Sequence, residues 1–331
     1  MKRFVDLADL TRDEVLALLE LARRLERGSE PRALAGKILG LVFFNPSLRT
    51  LASFQAAMAR LGGSSLVINP GQSSWQMESR TGVVMDGAAA EHVREGIPVL
   101  ASYCDALGIR VFAEGRDLER DLADTAFNAM AALTDKPLVN LESAVNHPCQ
   151  ALADWKTLDD LAVPRAGRFV LSWAYHPRPL PLAVPAAALH MAALRGMEVI
   201  VLRPEGFALP SALMERARRA AALSGGSVCE TSDRAEALAG AEVLYVKEWG
   251  ATEAYGDAAL DAQLRRTLTP WCVRNDWFDA APDCRLMHCL PVRRNSAIAD
   301  EVLDSTRSVV QREAYNRLPV QMAVLHRLLR S

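Results

Sequence analysis

The stretch Ile38-Leu-Gly-Leu-Val-Phe-Phe-Asn-Pro-Ser-Leu-Arg-Thr50 decides the fold class. Its first seven residues form an unbroken apolar run, the pattern of a parallel strand buried on both faces. Asn45-Pro46-Ser47 stops the run, and a helical pattern begins at once, from about Arg49 to Leu61. A buried strand leading straight into a helix is half of a βαβ unit. Upstream, Thr11-Arg-Asp-Glu14 is a capping box, with Val15, Leu18, Leu19, Ala22 and Leu25 behind it at helical spacing. Downstream the alternation continues. Leu66–Ile68, Leu107–Phe112 and Leu138–Asn140 read as strands, and Glu91–Tyr103, Asp117–Leu133 and Gln150–Leu161 as helices.

After Val163-Pro-Arg-Ala-Gly167 the pattern starts again. Strands are expected at Arg168–Ala174, Val199–Leu202, Val228–Thr231, Val243–Lys247 and Arg285–Leu290. Helices are expected at Ala183–Ala193, Ser211–Leu223 and Ala235–Leu238, with a closing helix at Ala314–Leu329. At 331 residues the chain is about twice the usual domain size. The expectation is therefore an α/β protein of two doubly wound domains, each a mostly parallel sheet flanked by helices, divided near residues 145–165.

Composition narrows the function classes. Half the residues are hydrophobic and 24% are charged, which is ordinary globular usage and not that of a disordered or fibrous chain. A net charge of −2 supplies no global positive field for nucleic acid, so any anion site must be built locally. Around the apolar middle, Pro179–Leu194 is free of Asp, Glu, Lys and Arg, but with three prolines and a histidine it is too short and too broken to span a bilayer. The opening MKRFVDLADL has acids where a signal peptide needs an apolar core, so a cytoplasmic protein is expected. Six cysteines, at 104, 149, 229, 272, 284 and 289, are scattered without a CxxC pair, which fits reduced thiols better than disulfides or zinc.

Ligands of open parallel sheets bind beyond the carboxyl ends of the strands. Four such ends carry unusual polar residues. At the first, Ser47 can cap the helix while the N–H groups of Leu48, Arg49 and Thr50 point outward with the positive end of the dipole. With hydroxyls at 47 and 50 and the Arg49 guanidinium, this suits a phosphate; the alternative is a plain cap with one surface arginine. It is not a P-loop, because no G-x-x-x-x-G-K-[ST] occurs. At the second, His147-Pro-Cys-Gln150 offers an imidazole and an amide, either able to donate to a carbonyl oxygen gaining charge, or His147 merely caps a helix. Arg110, following Leu107-Gly-Ile109, either faces a ligand at a strand end or is salt-bridged at an edge. Trp173–Leu180 is the third, and the fourth is His288-Cys-Leu-Pro-Val-Arg-Arg294. There, neighbours on a strand face opposite ways, so His288 does not activate Cys289 as a nucleophile.

Phe43-Phe-Asn-Pro-Ser-Leu-Arg-Thr50, Gly108-Ile-Arg110, His147-Pro-Cys-Gln150 and His288-Cys-Leu-Pro291 occur in one order. Over nearly its whole length the chain resembles the aspartate/ornithine carbamoyltransferase superfamily. Trp173-Ala-Tyr-His-Pro-Arg-Pro-Leu180, Lys247-Glu-Trp249 and His288–Asn295 look like the branch acting on N-acylated ornithine. The resemblance implies a carbamoyl-phosphate domain (1-145) and an amino-acid domain (146-311), with the last helix (312-331) packing back on the first. It implies a homotrimer with active sites at subunit interfaces, and chemistry without metal or organic cofactor. Ser47, the main chain of Leu48, Arg49 and Thr50 would hold phosphate, with Arg317 closing around it and Trp75 arriving from a neighbouring subunit. Arg110, His147 and Gln150 would hold the carbamoyl group. Glu142, Lys247, the main chain of Leu290 and Arg293 would hold the acylated amino acid, with His176 and Arg178 nearby and Cys289 lining the site.

Two departures stand out. Leu51 occupies the place of a second arginine in the family's phosphate loop, and Ala297 that of a lysine open to carboxylation in the acetylornithine branch. In Asp86-Gly-Ala-Ala-Ala-Glu-His92, Ala90 takes the position of a glutamate in the acetyl branch and a proline in the succinyl branch. A glutamate there would repel a succinyl carboxylate, at a cost of about 1–4 kcal/mol for a poorly screened pair. Ile97-Pro-Val99, Tyr103-Cys-Asp105 and Pro179-Leu-Pro181 also look like the succinyl branch, so N-succinylornithine is favoured over N-acetylornithine. Lys247-Glu-Trp249 lacks the Ser-Met-Gly loop of ordinary ornithine enzymes, and Leu51 is the one feature suggesting a ligand-binding homologue without turnover.

Overall fold

The computed structural model describes residues 1–330. The chain forms two compact units. The first comprises Met1–Glu114, Arg120–Cys149 and the chain from Arg317; the second comprises Gly115–Glu119 and Gln150–Asn316.

The first unit contains β1 (Arg3–Phe4), β2 (Ile38–Phe43), β3 (Ser64–Ile68), β4 (Met77–Glu78), β5 (Glu91–His92), β6 (Ala106–Arg110) and β7 (Leu138–Glu142). Five of them form one parallel sheet in the order β1-β7-β6-β2-β3. From β2 the chain moves outward to β3, then returns to lay β6 on the other side of β2. The strand order therefore reverses between β2 and β6, where Phe43 lies opposite Arg110. β2 is closely packed: a Cβ on Gly40 would stand 2.6 Å from Leu107 Cδ2 and 2.9 Å from Cys104 Sγ, so any side chain there would force both to shift. Val42, Ile97, Leu107, Ile109, Phe127 and Leu138 fill one face.

The second unit contains β8 (Arg168–Trp173), β9 (Glu198–Leu202), β10 (Ser227–Thr231), β11 (Ala241–Lys247) and β12 (Arg285–Met287). Their order is β10-β9-β8-β11-β12, again all parallel. Here the reversal falls between β8 and β11, where Trp173 lies opposite Lys247. Val170, Leu202, Leu244, Val246, Trp277 and Phe278 belong to its core. Each unit is thus a doubly wound parallel sheet, the fold class read from the sequence.

Several local expectations need correction. Glu91 and His92 form β5, and the helix starts at Val93 because His92 caps it, Nδ1 accepting from the Arg94 N–H. The helix expected over Asp117–Leu133 is two, Leu118–Leu122 and Thr125–Ala131. Asp124 breaks it at φ 53°, where its carboxylate accepts from the Ser143 hydroxyl and the Ala144 N–H. The helix expected from Gln150 begins at Pro148, where a missing N–H costs nothing. The strand expected through Leu290 ends at Met287, because the His288 N–H donates to Glu313 Oε2 at 2.9 Å instead of joining the ladder. The short β1 and the helices Ala258–Arg265 and Asp300–Leu303 had no clear sequence signal. No described helix is long and apolar enough to cross a membrane.

Candidate active site

In the first unit the chemistry gathers where the strand order reverses. Ser47 is the N-cap of the helix Leu48–Arg60, its Oγ 3.3 Å from the Thr50 N–H it accepts. That leaves the N–H groups of the first turn without intrahelical acceptors. Ser47 Oγ also donates to Thr50 Oγ1 at 3.0 Å, and Arg317 Nη2 donates to the same oxygen at 2.7 Å. Both Thr50 and Arg317 are buried, so a helix from the end of the sequence delivers its guanidinium to the loop after β2.

Arg110, at the end of β6, donates through Nε to the Asn45 carbonyl at 3.1 Å. The register of β2 against β6 makes that contact possible, and Asn45 Oδ1 in turn accepts from the Phe112 N–H. Arg110 is also paired with Glu142 at the end of β7, and His147 Nε2 lies 3.4 Å from the same Glu142 oxygen. Burial, together with the charges of Arg317, Arg110 and Arg49, drives His147 well below the usual histidine range, so the imidazole is neutral. Its Nδ1 is buried with no hydrogen-bond partner among the described residues. Burial likewise pushes the Cys149 thiol up to about 12, which makes it inert. Three guanidiniums and one carboxylate around a helix N-terminus form a cationic cradle for an anion.

In the second unit, Lys247 ends β11 and its ammonium meets Glu248 Oε2 at 2.6 Å. Glu248 is 1% exposed. Burial alone would raise its carboxyl, but Lys247 and His288 more than offset this and hold it below the usual carboxylate range. His288 Nδ1 accepts from the Leu290 N–H at 2.9 Å, so its proton sits on Nε2, 3.4 Å from Glu248. This chain of contacts shapes the turn at Leu290, whose φ is +58°. His288 Nε2 is buried without a hydrogen-bond partner among the described residues, and Cys289 is buried as well.

His176 Nε2 accepts from Arg293 Nε at 2.9 Å, which places its proton on Nδ1, facing the Arg178 carbonyl at 2.7 Å. Arg265 anchors the His176 carbonyl. Gln150 Nε2 is held by Asp154 and Glu313 at 2.8 and 3.2 Å. The amide nitrogen is therefore committed, and Gln150 offers an acceptor oxygen; the expectation that it donates to a carbonyl is corrected.

The structure joins Ser47, Thr50 and Arg317, then Arg110, Glu142 and His147, all in the first unit. Of the amino-acid set, Glu142 lies in the first unit, and Lys247, Leu290, His176 and Arg293 in the second. Trp75 and Ala90 sit together on an exposed excursion. The Trp75 indole donates to Glu91 and is 59% exposed, and the Ala90 N–H donates to the Gln76 carbonyl. Leu48 and Arg178 are also exposed. Ala297 is fully buried, with no nitrogen to carboxylate. Sequence reasoning missed three buried acids, Asp154, Glu248 and Glu313. The i,i+4 spacing of Gln150 and Asp154 was the available signal for one of them.

Among the described residues no cluster of three or more His, Cys, Asp or Glu side chains is arranged as a metal site. A cleft of about 610 Å³ in the second unit, lined by Tyr175, Arg234, Arg274 and Trp277, contains none of the expected site residues.

Polar side chains convergent at the switch point of each of two parallel sheets define a two-unit α/β enzyme. The chain belongs to the aspartate/ornithine carbamoyltransferase family and is a carbamoyltransferase. Residues 2–160 match the family's carbamoyl-P binding domain and residues 184–328 its Asp/Orn binding domain. An N-acetylornithine carbamoyltransferase of Xanthomonas campestris pv. campestris is 37% identical, covering 99% of this chain and 98% of that protein. An N-succinylornithine carbamoyltransferase of Bacteroides fragilis is 35% identical, covering 88% and 87%. A crystal structure of a glutamate-to-alanine mutant of N-acetyl-L-ornithine transcarbamylase, complexed with carbamyl phosphate and N-succinyl-L-norvaline, superposes with a TM-score of 0.94 at 37% identity, covering 99% and 100% of the two chains.

Proposed function

We propose that the protein transfers the carbamoyl group of carbamoyl phosphate to the δ-amine of an N-acylated ornithine, N-succinyl-L-ornithine in preference to N-acetyl-L-ornithine. The products are N-acylcitrulline and phosphate, a step of arginine biosynthesis. The observation that carries this reading is the cradle of Arg49, Arg110 and Arg317 around a capped helix N-terminus, beside a neutral His147.

Phosphate is held by Ser47, the Leu48 main chain, Arg49, Thr50 and Arg317. The carbamoyl oxygen takes over the Arg110 and His147 donors now occupied by Glu142, and Gln150 Oε1 accepts from the carbamoyl amine. The neutral δ-amine attacks the carbamoyl carbon, charge gathers on the oxygen, and the C–O bond to phosphate breaks; the leaving phosphate accepts the amine's proton. Catalysis is positioning and electrostatics. Lys247, Arg293 and Leu290 hold the acylated amino acid, with His176 orienting Arg293 and Cys289 lining the site. We place the reaction in the cytoplasm, where six free thiols are at home, and in a homotrimer whose Trp75 and Ala90 reach a neighbour's site.

Succinyl preference is supported by Ala90. In the similar transcarbamylase, a mutant with alanine in place of a glutamate was crystallised with an N-succinyl ligand. A neutral residue there spares a second carboxylate the repulsion that a glutamate would exert. The test is a steady-state assay with carbamoyl phosphate and a panel of ornithine, aspartate, N-acetylornithine and N-succinylornithine. Highest kcat/KM on succinylornithine is expected. Preference for free ornithine would overturn the N-acyl reading, and absence of turnover on all four would leave a binding protein.

A further inference from the structure

The mechanism above leaves two buried acids unused. Asp154 and Glu313 have no solvent exposure, and both converge on a single atom, Gln150 Nε2. Asp154 lies one turn beyond Gln150 on the helix Pro148–Asp160, and Glu313 comes from the helix Val310–Leu329. The two Glu313 oxygens hold different segments, Oε1 the Gln150 amide and Oε2 the His288 N–H. Two adjacent carboxylates without solvent cannot both stay ionised. Burial and the neighbouring Asp154 push Glu313 well above the usual carboxylate range. One proton therefore stays with the pair at neutral pH.

The geometry also leaves one atom over. Gln150 is 1% exposed, and its Oε1 has no hydrogen-bond partner among the described residues. An amide with its nitrogen tied to two acids and its oxygen buried without a partner is held in one of its two flips, awaiting a donor.

We propose that Asp154 and Glu313 are positioning residues that lock Gln150 with Oε1 presented as an acceptor for the carbamoyl amine. This rests on the reading of Gln150 as a carbamoyl contact. Neither acid touches substrate; each acts through Gln150, and Glu313 also ties that amide to the segment opening at His288. An amide free to flip would turn its donor face to the carbamoyl amine for part of the time, donor against donor.

The test is a double-mutant cycle on kcat/KM for carbamoyl phosphate, with its Kd measured by calorimetry. Asp154→Leu should lower kcat/KM by about tenfold in the native background but by less than about twofold alongside Gln150→Ala, because the group it positions is gone. Asp154→Asn keeps an acceptor oxygen for Nε2 and should recover most of the loss. Should Asp154→Leu not fold, Asp154→Ser, too short to reach Nε2, takes its place with the same expectation. Equal losses in both backgrounds would overturn the positioning role, since a merely structural acid is indifferent to residue 150. Full activity of Gln150→Ala alone would instead overturn the carbamoyl reading of Gln150.

Discussion

The two switch points are built alike and charged differently. In each unit a parallel sheet reverses its order beside a central strand, Phe43 facing Arg110 in one and Trp173 facing Lys247 in the other. The first gathers three guanidiniums, a neutral imidazole and one carboxylate, Glu142, and so keeps a surplus of positive charge. The second is nearly self-compensated, with Glu248 between Lys247 and His288 and the Asp154–Glu313 pair retaining a proton. A surplus suits a dianionic phosphate that must be held while its charge grows. On the proposed reading, the second site meets a substrate whose acylation has removed the α-ammonium, so it need supply no acid for that nitrogen. One architecture serves both because side chains at strand ends can change without disturbing the sheet.

The contrast can be broken most strongly from the second site. Glu248→Gln removes a buried carboxylate 2.6 Å from the Lys247 ammonium. Unfolding free energy should fall by about 3–5 kcal/mol, the cost of breaking a buried pair by deleting one partner. Denaturant melts measure it, and a change within experimental error would mean that the second site is not held together by charge.

The first site should respond in the opposite sense. Arg49→Ala removes one of several like charges, so stability should hold while transition-state stabilisation drops by roughly 2–4 kcal/mol. Arg49→Lys should recover little, because an ammonium cannot reproduce the guanidinium fork. Near-normal kcat at saturating carbamoyl phosphate would displace the anion site from this loop.

Ala90→Glu sharpens the substrate side. Activity on succinylornithine should fall by about one to two orders of magnitude, equivalent to 1.4–2.8 kcal/mol, with acetylornithine activity held or raised. Equal losses on both substrates would point to damage at a subunit contact, and no change on either would mean the loop is far from the acyl group.

The smallest effect is in pH. Burial, the leading cause in both cases, holds His147 and His176 below their ordinary value of 6.5. Below pH 6.5 the unfolded chain binds protons that the folded chain refuses, so their contribution to stability is complete above that value and is lost as pH falls. For His147, which lies well below that value, the slope approaches about 1.4 kcal/mol per pH unit. Glu313 acts with opposite sign, its protonated form favouring the fold at low pH. The measurement is therefore the difference between the native chain and His147→Asn from pH 7 to 5. A constant difference would show that His147 is not buried neutral.

Much of this molecule could be read from local pattern. The apolar run Ile38–Phe44, the capping box at Thr11 and the cap at Ser47 each specify their element through neighbours a few residues away, and the structure keeps all three. The order of elements, the parallel sheets and the segments at strand ends follow from the same short-range physics. What the chain could not show by itself was which side chains answer one another across long separations. Arg317 meets Thr50 across 267 positions, a pairing that the family resemblance implied but no local pattern shows, and Glu313 meets Gln150 across 163. Asp154 is signalled only by its i,i+4 spacing from Gln150, and nothing near Glu248 or Glu313 in sequence marks them apart from solvated acids. Burial alone makes them matter, because a carboxylate out of water must find a partner or keep a proton, and only the packed fold decides which.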